Sequence, residues 1–277
     1  MSQSEHLRES IDVPDDVRAE LARHADRLGP IARRIHWLAR TSSTNDVAAA
    51  LGQTGAEEGT VVVAEMQTAG RGRQGRVWFS PAGAGLYVSL LLRPDLAAAA
   101  HENRSALITL AAGVAVAGAI RAATGLPAAI KWPNDVVLER RKLAGILVEA
   151  VNYGGTRGFV VLGVGINLRQ AAFPPDVAAR ATSIESETVR PADRAQVLAE
   201  MLSSLAGRYG DLLAGRFDAI LSAWRRLASP MWSSIVEWDS ASGVCRGQVE
   251  GIDAAGALIV RVGDRVERLI AGEVRWG

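Results

Sequence analysis

Apolar positions recur along this chain in two rhythms, one helical and one extended. Pro14 to Leu28 sets Val17, Leu21 and Leu28 on one side with charges between them, an amphipathic helix that Gly29-Pro30 ends. Thr41 to Asp46 crowds N-capping residues ahead of Val47 to Leu51, which predicts a short helix with a polar mouth. Thr60 to Met66 is β-branched and strand-like, Gln67 to Trp78 is a glycine–arginine loop, and Gly85 to Leu92 is a second strand stopped by Arg93-Pro94. Ser105 to Thr124 reads as a core helix closed by Gly125 and Pro127. Ala129 to Trp132 and Val136 to Glu139 read as strands joined by Pro133-Asn134-Asp135. Lys142 to Val151 and Gly158 to Gly165 form a hairpin through Tyr153-Gly154-Gly155. Arg169 to Ala181 is a loop. Pro191 to Leu213 and Phe217 to Leu227 are amphipathic helices, the second turning Phe217, Ile220, Leu221 and Trp224 inward.

The texture changes after Ser229-Pro230. Four or five short β runs follow, punctuated by Gly251, Gly256, Gly263 and Gly272, which suggests a small β-barrel or sheet. The expected fold class is α+β, with a mixed, largely antiparallel sheet built from hairpins. The expected division is an N-terminal helical extension over residues 1–29, a main domain over 30–229 and a small C-terminal β-barrel domain over 230–277.

Composition narrows the function. Apolar residues make up 48% of the 277 positions, enough for a sizeable core, and 31 basic residues face 30 acidic ones. Bulk charge therefore gives no reason to expect nucleic-acid binding. The single Cys245 allows neither an internal disulfide nor a cysteine-rich metal site. The longest uncharged stretch is 16 residues, Ser105 to Ile120, short of the ~20 that a spanning helix needs. The acidic, polar beginning MSQSEHLRESIDVPDD has no secretory core, and a cytoplasmic protein off the membrane is expected. His6, His24, His36 and His101 are scattered, and neither a nucleophile elbow nor a phosphate loop of the Gly-Lys-Ser/Thr type is present. An enzyme built from this inventory works by position and electrostatics more than by a nucleophile of its own.

Four segments carry candidate chemistry. Gly70-Arg71-Gly72-Arg73-Gln74-Gly75-Arg76 joins glycine amides to three forked cations, an anion-binding loop expected to be mobile without its ligand; a solvated hairpin loop and an RNA-binding Arg-Gly segment fit the same letters. Lys131-Trp132-Pro133-Asn134-Asp135 delivers an ammonium, an amide and a carboxylate at a turn. Asp135 suits a magnesium ion or a hydroxyl, though Pro-Asn-Asp is also simply a good turn. Lys142 opens an apolar strand in which Gly145 admits a close neighbour, and a snorkelling lysine would read the same way. Gly163-Val164-Gly165-Ile166-Asn167 is a glycine-bearing strand ending in an amide. Of the 31 cations only Lys131 and Lys142 are lysines, which hints that those two places need a compact ammonium.

The order of these segments, with Ser43-Thr44-Asn45 ahead of them and Ala181-Thr182-Ser183-Ile184 behind, resembles the biotin–protein ligases over roughly residues 36 to 277. The resemblance implies a catalytic fold like that of class II aminoacyl-tRNA synthetases with a small C-terminal barrel. It implies ATP-dependent activation of biotin to biotinyl-5'-AMP, with Mg2+, and transfer of biotin to one lysine of a biotin carboxyl carrier domain of a biotin-dependent carboxylase. It implies Lys142 and Arg71 as catalytic residues, with Lys142 bridging biotin carboxylate and α-phosphate. Ser43, Thr44, Asn45, Gln67, Gly70, Arg71, Gly72, Arg73, Lys142 and Gly145 would bind biotin. Arg73, Arg76, Trp78, Lys131, Asn134, Asp135 and Asn167 would face the nucleotide, Asp135 also the metal, and Phe173 would lie in a second closing loop. Some members of the family begin with a helix-turn-helix module. Only about thirty-five residues with one credible helix precede the catalytic region here, so no operator DNA binding is expected. A lipoate–protein ligase is the rival enzyme reading, decided by pocket shape.

Overall fold

The computed structural model describes residues 9–94, 104–151, 158–170, 173–188, 190–240 and 243–277. The expected turn at Tyr153-Gly154-Gly155 and the residues His6 and His101 lie outside them. Two sheets organise the chain. The larger has the order β1-β2-β3-β4-β8-β7-β6-β5, from β1 (Ser10–Ile11), β2 (Ile35–Leu38), β3 (Val61–Ala64), β4 (Gly85–Leu92), β5 (Ala129–Lys131), β6 (Asp135–Leu138), β7 (Arg141–Val151) and β8 (Phe159–Asn167). Every neighbouring pair is antiparallel except β2 with β3, which are parallel and are joined through helix α3 (Thr44–Gln53). A parallel pair needs such a crossover, and β1 and β2 lengthen the sheet beyond the strands expected from sequence.

Side chains alternate across this sheet and feed two cores. Val61 and Val63 of β3 point into the main cluster with Trp37, Val88 and Leu90. Val62 and Ala64 point the other way, where Leu38, Val47, Leu51, Leu91, Phe159 and Val161 pack under α3. The main cluster is covered by α4 (Arg104–Thr124), α7 (Arg194–Leu213) and α8 (Phe217–Leu227). Residues Ser105–Thr124 are long and apolar enough to span a membrane by length and composition, with mean hydropathy 1.9, but 67% of that stretch is buried between α7, α8 and β7. It is the core helix its composition predicts.

The amphipathic segment near the start is two helices, α1 (Asp15–Arg23) and α2 (Ala25–Leu28), where one was expected. The break falls at His24, whose Nδ1 lies 2.9 Å from the Glu20 carbonyl and whose Nε2 lies 3.1 Å from Glu200 on α7. A tertiary partner thus overrides continuation of the helix. Loop Arg169–Ala181 contains one helical turn, α5 (Pro175–Ala178), and α6 (Ile184–Glu187) follows, started by Ser183 accepting from the Ser186 N–H.

The second sheet has the order β12-β11-β10-β9-β13, from β9 (Ile235–Ser240), β10 (Gly243–Ile252), β11 (Leu258–Val262), β12 (Arg265–Leu269) and β13 (Arg275–Trp276). It is an open sheet and not the closed barrel the turn spacing suggests. Among the described residues no pairing joins β12 to β13, and a two-residue β13 offers too little edge for the staggered closure a barrel requires. Its inner side chains Val236, Val249, Leu258 and Val260 belong to the same cluster as the core of the larger sheet.

Candidate functional site

The pocket lies on the α3 side of the large sheet, and glycines make room for it. Gly145 on β7 pairs with Gly165 on β8, and Gly163 sits two residues away on the same face. A Cβ at Gly165 would lie 2.4 Å from the Trp78 indole, one at Gly145 2.9 Å from it, and one at Gly163 2.3 Å from Asn45 Oδ1. Each glycine is therefore a place where another group lies on the strand. Trp78 covers the pair, with its Nε1–H buried and without an acceptor among the described residues. A buried unpaired donor at a pocket wall is costly unless a ligand accepts from it.

One end of the pocket is a polar network at the start of α3. The Thr44 amide and hydroxyl both donate to Gln67 Oε1, at 2.8 and 3.1 Å, and Gln67 Nε2 donates to Ser80 Oγ at 2.9 Å. The fully buried Ser89 Oγ lies 2.7 Å from Thr44 Oγ1 and 2.6 Å from Asn45 Oδ1. Asn45 Nδ2 donates to Glu149. Ser43, Thr44 and Asn45 are themselves buried, so their rotamers are fixed before any ligand arrives.

The glycine–arginine loop folds over this pocket. A 3-10 turn at Arg73–Gly75 is closed by the Arg76 N–H donating to the Arg73 carbonyl at 3.2 Å, and across the loop the Gly72 N–H donates to the Arg76 carbonyl at 2.7 Å and the Trp78 N–H to the Gly70 carbonyl at 2.9 Å. In this closed arrangement each of the three arginines has an acceptor. Arg71 donates to Asp46 at 2.5 Å and to Glu149 at 3.0 Å. Arg73 donates to Asn134 Oδ1 and to the Gly272 carbonyl, both at 3.3 Å. Arg76 pairs with Glu273. Burial alone would lower the Arg71 pKa, but the hydrogen bond and charge of Asp46, then Glu149, carry it above the ordinary arginine value. For Arg73 burial wins, and its pKa falls despite Asp135 and Glu273.

Lys142 stands at the other end. Its ammonium lies 2.6 Å from Asp135 Oδ1 and 5.4 Å from the centre of the Trp78 ring. Its backbone is pinned by Arg180 and Thr182, with Lys142 N–H donating to the Arg180 carbonyl at 2.7 Å and Thr182 N–H to the Lys142 carbonyl at 2.9 Å. Buried Asn167 donates to the Thr182 carbonyl at 2.9 Å, so its amide braces this segment and does not line the pocket.

Of the residues singled out from sequence, Ser43, Thr44, Asn45, Gln67, Arg71, Gly72, Arg73, Trp78, Asn134, Lys142 and Gly145 line one cavity of about 50 Å³. That is far below the ~300 Å³ at which ligand pockets begin, so admission of a ligand requires the loop to lift or the indole to turn. Gly70, Arg76, Lys131, Asp135 and Asn167 are not part of that lining, and neither is half-buried Phe173. Among the described residues no group of three or more His, Cys, Asp or Glu side chains could hold a metal ion. Asp135 alone offers a carboxylate beside Lys142, which suits an ion that keeps most of its ligands from substrate phosphates and water. The sequence reading missed Asp46, Ser89, Glu149 and Glu273. Ser89 and Glu149 were visible as polar breaks in apolar strands; Asp46 and Glu273 carry no such mark.

A family model, the Biotin/lipoate A/B protein ligase family, matches residues 37–167. The chain belongs to the biotin–protein ligases of that family. It is 37% identical over 245 residues to the biotin–[acetyl-CoA-carboxylase] ligase of Paracoccus denitrificans, covering 87% of this chain and 99% of that protein. Among solved structures it is similar to the biotin protein ligase of Aquifex aeolicus in complex with biotin and ATP, with TM-score 0.76 and 28% identity over 88% of this chain and all of that one. The Leishmania major biotin protein ligase in complex with biotinyl-5-AMP superposes with TM-score 0.59 and 25% identity, covering 86% of this chain and 99% of that chain.

Proposed function

We propose that this protein activates biotin with ATP and passes the biotinyl group to a lysine of a biotin carboxyl carrier domain in an acyl-CoA carboxylase. The observation that carries the reading is the charge beside the closed pocket. Among the described residues Arg73, Arg76, Lys131 and Lys142 face two carboxylates, Asp135 and Glu273, so the cluster has positive charge in excess and suits a triphosphate. The names of the Paracoccus ligase and of the two ligand-bound structures support the choice of biotin, ATP and carrier.

In the first step a biotin carboxylate oxygen attacks the α-phosphorus and pyrophosphate leaves. Lys142 offsets the charge shared by the carboxylate and the phosphoryl oxygens, and Arg71 and Arg73 hold the loop over them. Asp135 would help to hold a magnesium ion carried by the nucleotide, which would offset charge on the phosphate oxygens. In the second step the carrier lysine amine attacks the carbonyl of the mixed anhydride and AMP leaves. Neither step asks a side chain of this chain to be the nucleophile, in keeping with a pocket lined by no His or Cys. The polar network of Thr44, Asn45, Gln67 and Ser89 suits the ureido ring of biotin. The closed loop keeps water from the anhydride. We divide the chain at the Ser229–Met231 turn, the smaller sheet being a module packed onto the main core. The test is labelled biotin with ATP, magnesium and a carrier domain, with lipoate in parallel. Label on the carrier from biotin alone is expected; label from lipoate in preference would refute the substrate assignment.

A further inference from the structure

Lys131 is the loosest charge in the cluster. Among the described residues its ammonium makes no hydrogen bond and no ion pair, and Asp135 and Glu273 act on it only from a distance. Burial pulls its pKa below the ordinary lysine value in spite of both carboxylates. A four-carbon stem with unspent donors would sample many rotamers if nothing held it. One group does. The Trp276 ring centre lies 5.8 Å from Lys131 Nζ and 5.1 Å from the Arg140 guanidinium, within the range in which an indole face attracts a cation. Trp276 reaches this place from the second sheet, where it pairs with Val236 of β9. The short segment ahead of it supplies the Gly272 carbonyl to Arg73 and the Glu273 carboxylate to Arg76. Three of the cations around the pocket are thus seated by residues 272–276, two by hydrogen bond or ion pair and one by an aromatic face.

We infer that Trp276 is a positioning residue for the nucleotide: its indole holds the Lys131 ammonium, donors free, where the phosphate chain of ATP is bound. A carboxylate in that position would compete with phosphate for the donors, whereas an indole face restrains the ammonium without consuming a hydrogen bond. Arg140 on the same ring adds positive charge at the rim.

The inference rests on the adenylating reading, and the test separates the two. Wild-type protein is assayed first for biotin-dependent pyrophosphate–ATP exchange, and its absence would refute that reading before any variant is made. With exchange established, Trp276→Leu keeps an apolar side chain on β13 but removes the π face. The expected result is a KM for ATP raised about fivefold, a rate at saturation and a KM for biotin each within about twofold of wild type, and restoration by Trp276→Phe. Lys131→Met raises the KM for ATP at least as much, and adding Trp276→Leu to it brings no further rise, because the two residues act as one. An unchanged KM for ATP in Trp276→Leu, a parallel loss of biotin binding, or effects that multiply in the double variant would each overturn the inference.

Discussion

Gly165→Ala is the most discriminating single change the pocket offers. The backbone at 165 is ordinary strand, so alanine brings no torsional strain, and the substitution acts only through its added carbon. That carbon would lie 2.4 Å from Trp78 Nε1 and Cε2 and 2.8 Å from Cζ2. Ordinary contact begins at 3.4 Å, so the ring must retreat by about 1 Å. The partners on either side, Gly145 and Tyr87, are fixed by strand pairing and leave the ring as the part that gives. Overpacking of this kind costs about 1–3 kcal/mol. The loop lifts to admit a ligand and closes again over it, so a cost borne by the closed loop favours the open state and weakens ligand affinity by up to roughly 5- to 150-fold, with little change in Tm. Calorimetric titration with biotin and with ATP, beside thermal melting, measures both. Wild-type affinities in Gly165→Ala would refute the reasoning that Trp78 must seat on this glycine, and a large drop in Tm with unchanged affinity would place the strain in the sheet instead.

Two further outcomes follow from the electrostatics. Asp46→Asn keeps an acceptor oxygen but removes one of the two negative charges that hold Arg71; the pair is two-fifths exposed on both sides, so loss of that charge weakens loop closure by about 0.2–1 kcal/mol, seen as up to fivefold faster amide exchange over residues 70–76 at low salt and a smaller difference at 1 M salt. Equal exchange at both salt concentrations would show that the loop is not latched there. His24 is pulled down by burial but raised overall above 6.5 by its bond to the Glu20 carbonyl and by Glu200. A raised folded pKa stabilises below about 6.5 and is lost as pH rises through the folded value, so α1 and α2 should be better protected from exchange on α7 at pH 6 than at pH 8, and His24→Gln should flatten that difference. Equal protection of the native chain at both values would remove the role given to His24.

Much of this architecture was legible in the chain. β4 and α8 fall on their expected residues, and the β7–β8 hairpin follows from two apolar runs. β2 was not legible: Ile35-His36-Trp37-Leu38 has too little alternation to stand out, and its partners are β1 and a parallel β3 beyond a helix. The split at His24 and the open second sheet were equally hidden, since one depends on Glu200, 176 positions away, and the other on how little of β13 exists to pair. In the pocket, the groups that line the cavity stand in short segments whose local spacing made them recognisable. The groups that hold those groups were not. Asp46, Glu149, Glu273 and Trp276 meet the loop or the lysines only after folding, and of the four only Glu149 is marked by its neighbours, as a polar break in an apolar strand.

Trp132 lies between Lys131 and Asn134 in sequence yet points away from the pocket, almost fully buried, with its Nε1–H donating to the Gly256 carbonyl of the second sheet at 3.0 Å. The turn that carries two pocket-side groups is therefore roofed by the other sheet. A fragment ending near Ser229 would bare that indole together with Met231's share of the core and leave the turn unsupported. Such a piece would come out of the cell sticky and inert, and its failure would say nothing about whether the smaller sheet ever meets a carrier.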